Sequence, residues 1–164
     1  MKKTNVRKLT CLALIVSFAM ILSYIEAKIP VFVAIPGVKM GLANIAVIFV
    51  LYKMGAKEAA VVSVLRIFLI SILFGNVESL FFSLMGGLLS FAVMLLLKKL
   101  TPLGEVAVSV SGGVMHNVGQ IIAAMMLLQT DAVMYYLPFL ILSGTIAGVV
   151  VGVVSALLIK RVRL

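Results

Sequence analysis

Apolar residues in this chain fall into six runs, 9–25, 41–52, 59–74, 79–97, 106–128 and 137–159, parted by short polar turns. A helix needs about 20 mostly apolar residues to cross a bilayer, so the pattern predicts one all-α domain over residues 1–164 with six membrane crossings. The second run is the exception. It is short if it begins at Gly41, and extending it back to Val31 takes in Pro36, Gly37 and Lys39. Proline removes a backbone donor and glycine loosens the chain, which predicts a late-starting or broken helix. Irregular backbone at membrane depth is tolerated only against protein or beside a water-filled cavity. The segment PGVKMGLAN, Pro36 to Asn44, is therefore the first candidate for a binding loop.

Composition places the chain in the membrane for a second reason. Hydrophobic residues make up 64% of it, mean hydropathy is +1.31, and only 14 basic and 5 acidic side chains remain to clothe 164 residues. A soluble domain of this size needs more polar surface than that. The net charge of +9 then reads as topology, because basic residues collect in cytoplasmic loops. Lys2, Lys3, Arg7 and Lys8 precede the first run, Lys53 and Lys57 follow the second, Lys98 and Lys99 follow the fourth, and Lys160, Arg161 and Arg163 follow the sixth. Only Lys28 and Lys39 fall in turns of the other side, so both termini are predicted cytoplasmic. The first run reads as a mature helix and not a cleaved signal, since it ends in SYIEAK without a small-x-small site. No aromatic and basic surface points to nucleic acid.

Helices in lipid pack through small residues, because lipid supplies no hydrophobic drive between them. Gly144, Gly148 and Gly152 form one stripe on the sixth run, and the first run offers Ala13 with Ser17 and Ala19 with Ser23 and Ala27. These stripes serve either internal packing or docking to a partner protein. The single cysteine, Cys11, lies within the first run and has no partner for a disulfide or a metal site.

Polar side chains inside apolar runs need partners. Arg66 lies seven residues past Ala59, roughly 10 Å along its helix. A charge at that depth costs about 2.5–3.5 kcal/mol on insertion scales, so it either meets a carbonyl, a carboxylate or an anionic ligand, or snorkels to the interface. In SVSGGVMHNVGQ, His116 and Gln120 share a face with Asn117 beside them, and Gly112 and Gly113 one turn earlier leave room for a neighbour or ligand, so the three side chains serve either a solute pocket or hydrogen bonds between helices. The turn FGNVESLFFSLMGG sets Asn76, Glu78 and Ser79 at the outer end, with Ser83, Gly86 and Gly87 further in. Lys39 and Asn44 enter from the same outer side. Convergence there is the reason to expect a solute pocket. Catalysis and cofactors find little footing: Glu26, Glu58, Glu78, Glu105 and Asp131 form no pair in sequence that would hold magnesium or divide acid and base roles, and the glycine pairs precede no phosphate-loop lysine.

PGVKMGLANI, ESLFFSLMGGLLS and SVSGGVMHNVGQ, in this order, resemble the small bacterial membrane family of Gx transporter proteins, also labelled heptaprenyl diphosphate synthase component I. That family in turn resembles the substrate-binding S components of energy-coupling factor (ECF) transporters, with six helices, cytoplasmic termini and a pocket opening outward. The resemblance implies that Lys39 and Asn44 belong to a lid loop and its helix, and that Asn76, Glu78, His116, Asn117 and Gln120 line the pocket. Lys39 and Arg66 suit an anionic group on the solute. It also implies a coupling subunit and ATPases in trans, docked through an alanine-xxx-alanine signature to which Ala13 with Ser17 and Ala19 with Ser23 are the nearest matches. The expected function is a solute-binding transporter subunit without cofactor or metal, and not an enzyme, since prenyl elongation needs aspartate clusters and Asp131 is the single aspartate. The alternative is a non-catalytic membrane component of polyprenyl diphosphate or quinone biosynthesis, or of electron transfer.

Overall fold

The structure, a computed structural model, describes residues 3–28 and 41–162. Lys39 and the rest of the candidate loop before Gly41 lie outside the described residues. All regular structure described is helical: α1 Lys3–Lys28, α2 Asn44–Lys53, α3 Ala56–Phe74, α4 Val77–Leu100, α5 Glu105–Leu128, a 3-10 segment Asp131–Tyr136 and α6 Leu137–Arg161.

The turns follow from local chemistry. Gly55, at φ +124°, takes a conformation few L residues adopt and lets α3 begin with only two residues between it and α2. Asn76 closes the next turn, its Oδ1 accepting the Ser79 amide at 2.7 Å as an N-cap for α4. Thr130 does the same for the 3-10 segment by accepting the Ala132 amide at 3.3 Å, and Pro138 sits in the first turn of α6, where its missing N–H is harmless.

Four segments are long and apolar enough to cross a membrane: Val6–Glu26, Val77–Leu100, Glu105–Leu128 and Asp131–Arg161. Large apolar side chains on them, such as Leu14, Leu142 and Phe139, point outward, and Phe139 is 77% exposed. A water-soluble protein rarely tolerates such a surface; this is the surface of a membrane protein. α3 has the length to span, but carries Lys57, Glu58 and Arg66 within 19 residues. α2 has ten residues, about 15 Å, or half a hydrocarbon core. Its eight residues Asn44–Leu51 are all buried. A helix apolar on every side belongs inside a bundle, and α2 packs against α1, α3 and α6.

Glycines set the closest approaches. A Cβ at Gly148 would lie 2.6 Å from Val110 Cα and one at Gly152 2.8 Å from Val106 Cα, so the α6 stripe is pressed onto the α5 backbone. The stripe is thereby an internal packing surface, not a free docking face. On α1 the two small pairs part company. Ala19 and Ser23 are buried, whereas Ala13 and Ser17 lie on the exposed side.

A polar cavity around Arg66

The buried positions of α1 recur as Val16, Ala19, Ser23 and Glu26, a spacing of three and four that marks one helix face. That face brings Glu26 to the start of α2. Gly41 is held at φ +83°, and its amide donates to Glu26 Oε1. A Cβ there would also meet Asn44 Nδ2 at 3.0 Å, so conformation and space both ask for glycine.

Arg66, on α3, points into the same junction and is 7% exposed. Its Nη2 donates to Asn44 Oδ1 at 3.3 Å and its Nη1 to Ser23 Oγ at 3.5 Å. Both bonds are long for their type. Nε has no hydrogen-bond partner among the described residues. Glu26 lines the same cavity as the guanidinium. The partners of this buried arginine are therefore the Asn44 side-chain carbonyl and the Ser23 hydroxyl on neighbouring helices, with the Glu26 carboxylate lining the same cavity, and the snorkelling alternative does not occur.

Ser23, Glu26, Gly41, Arg66, Ser83 and His116, with Ile67 and Ile70, enclose a cavity of about 20 Å³. By that measure it is room for one or two water-sized bodies. Gly86 makes His116 possible in this wall: a Cβ on Gly86 would lie 3.0 Å from the imidazole Nδ1 and Cε1, so α4 offers bare backbone where the ring lies. A smaller cavity, lined among others by Gly41, Asn44, Ser109 and Gly113, adjoins the first through Gly41.

Of the residues expected to form a pocket, Asn44, Arg66 and His116 come together. Asn117 does not join them. Its Nδ2 donates to the Leu140 carbonyl at 2.6 Å, tying α5 to α6. Gln120 is fully buried one turn beyond His116 and does not line the cavity. Asn76 and Glu78 are exposed at the α3–α4 turn, where Asn76 serves as the helix cap. Glu26 is the site residue that sequence reasoning missed, and Ser23, expected only in a packing or docking stripe, joins it. The signal was present in the α1 spacing, which puts Glu26 on the inner face, together with the demand of Arg66 for a counter-charge. Among the described residues no group of three or more His, Cys, Asp or Glu is placed to hold a metal ion.

A family model described as heptaprenyl diphosphate synthase component I matches residues 15–158. No curated protein and no solved structure matches the chain.

Proposed function

The chain belongs to the heptaprenyl diphosphate synthase component I family, and from that premise we propose that it is the membrane-embedded solute-binding subunit of a transporter, taking up a small anionic molecule with the help of partner subunits. The observation that carries this reading is Arg66. It is a buried cation beside a cavity, bonded through two long contacts, with a donor still unused. Glu26 holds the place of an anion. A carboxylate or phosphate on the solute, offering bidentate acceptors to a planar guanidinium, takes over that place, and the cavity enlarges as Glu26 yields.

In this proposal α2 and α3 join the four long helices to make six segments in an S-component-like bundle with cytoplasmic termini, as in the ECF and Gx transporter resemblance. The exposed Ala13–Ser17 pair is the surface left for a coupling subunit, and ATPases or an ion gradient supply the energy. The protein itself catalyses no prenyl transfer. Asp131 is its single aspartate, and chain elongation needs clustered aspartates to hold magnesium on diphosphate.

The test is native mass spectrometry of the protein purified gently from its own membrane. A retained anionic metabolite, or an ATPase pair with a coupling protein, supports the transporter reading. Recovery with a prenyl synthase catalytic subunit and no metabolite would overturn it in favour of an accessory subunit of polyprenyl diphosphate synthesis.

A further inference from the structure

Among the described residues, the cavity around Arg66 holds one permanently charged cation and one carboxylate. Arg66 and Glu26 supply them, and both are buried, Glu26 with 3% of its surface exposed. Across the cavity Glu26 is faced by Arg66 from α3 and by His116 from α5, while the turn before α2 and the helix α4 bring only Gly41 and Ser83 to the same space. The Gly41 amide donates to Glu26 Oε1, which ties the carboxyl group to the cavity wall. A surplus negative charge placed here therefore meets no second fixed cation among the described residues.

That balance constrains any anion that enters. A solute carboxylate seated on Arg66 puts two carboxyl groups and one guanidinium in a small buried site. An uncompensated charge there is expensive, and two carboxyl groups that share a site keep a proton between them. Protonating Glu26 removes the surplus charge and turns an acceptor into an O–H donor aimed at the incoming carboxylate, while its other oxygen still accepts from Gly41. Protonating His116 instead would leave four buried charges in place of two, the costlier arrangement. We propose that the cavity takes up its solute as a carboxylate together with one proton, and that Glu26 carries the proton. This rests on the reading of Arg66 as an anion site and adds a second cargo to it. Arg66 and the bound carboxylate then balance as Arg66 and Glu26 do in the empty cavity, so the site loads without gaining net charge.

Formate and acetate, the smallest carboxylates, ask least of a cavity of about 20 Å³ and stay ionised between about pH 6 and pH 8. Their affinity for the full chain in detergent, read from the ligand dependence of its thermal midpoint, should fall about tenfold for each pH unit across that range, the slope of one linked proton. An indicator dye in weakly buffered solution should report uptake of about one proton per anion bound near pH 7. Infrared difference spectra with isotope-labelled formate should show a protein carboxylate band lost and a protonated carboxyl band gained. Glu26→Leu/Arg66→Met, which removes both charges together, should give neither binding nor uptake. Binding with no pH slope and no proton uptake would leave the anion site standing and overturn this proposal, with Glu26 moving aside as a carboxylate. Proton uptake without the carboxyl bands would assign the proton to His116 and overturn it too. No saturable binding of either anion at any pH would remove the anion reading itself, and this inference with it.

Discussion

Arg66 and Glu26 are most informative together, because both are buried around one cavity and a buried charge left alone is far costlier than two of opposite sign that share a site. Removing one partner of a buried pair costs about 3–5 kcal/mol, whereas replacing both by apolar groups of similar size is often neutral. Glu26→Leu is therefore expected to lower the thermal midpoint sharply, and Glu26→Leu/Arg66→Met to recover most of the loss. A thermal-unfolding double-mutant cycle in detergent checks it, and additive losses would show that the two charges do not act on each other. Arg66 was legible in the sequence because a lone charge in the middle of an apolar run stands out. Glu26 was not, since an acid at the end of a run looks like an interfacial residue until the spacing of Val16, Ala19 and Ser23 shows which way it faces. Asn117 misled for the complementary reason. A polar side chain in a membrane helix must bond to something, and a carbonyl of the next helix satisfies it as well as a solute does.

Among the elements, α5 and α6 depend on glycine for their spacing. Gly148→Ala puts a methyl group 2.6 Å from Val110 Cα, a backbone atom with no rotamer to give. The expected cost is about 1–3 kcal/mol, as for other overpacked contacts, read as a lower thermal midpoint and poorer recovery of monodisperse protein. Ala13→Leu, on the exposed side of α1, should leave both unchanged. The glycine period was plain in the sequence; its partner helix was not, because a four-residue spacing says which residues share a face and nothing about what that face meets. α1 and α3 are clasped at their starts by Lys8 and Glu58. The hydrogen bond from Lys8 holds the Glu58 carboxyl below the ordinary carboxylate range. A depressed carboxyl stabilises the fold at pH values above its unfolded pKa of about 4.3, and the contribution is lost as pH falls through the lower folded value. The pair's contribution should thus be constant with pH near neutrality and decline on acidification below about pH 4, and Glu58→Gln should flatten that acid limb in a pH series of melting curves.

Over the whole molecule, the distribution of basic residues makes the orientation testable. With Cys11 replaced by alanine and a single cysteine placed at Leu164, a membrane-impermeant maleimide should label the protein in inverted vesicles and not in intact cells; labelling from outside would reverse the assigned sidedness. Purified protein given allylic and isopentenyl diphosphates with magnesium should form no product, and turnover would refute the non-catalytic reading. The number of apolar runs was legible, and so was the weakness of the second, since it is short from Gly41 and lengthens only by taking in Pro36, Gly37 and Lys39. That α2 is buried on every side was not, because burial depends on what α6 contributes. Ser155 of α6 donates to the Ile45 carbonyl of α2 at 3.5 Å, across 110 residues of chain. α2 leaves the ribosome early, too short to hold a place in the bilayer by itself and too apolar to wait in water. Its berth is completed only once α6, far later in the chain, has been made. A nascent chain stalled before α6 therefore holds an α2 still open on the side that Ser155 comes to cover.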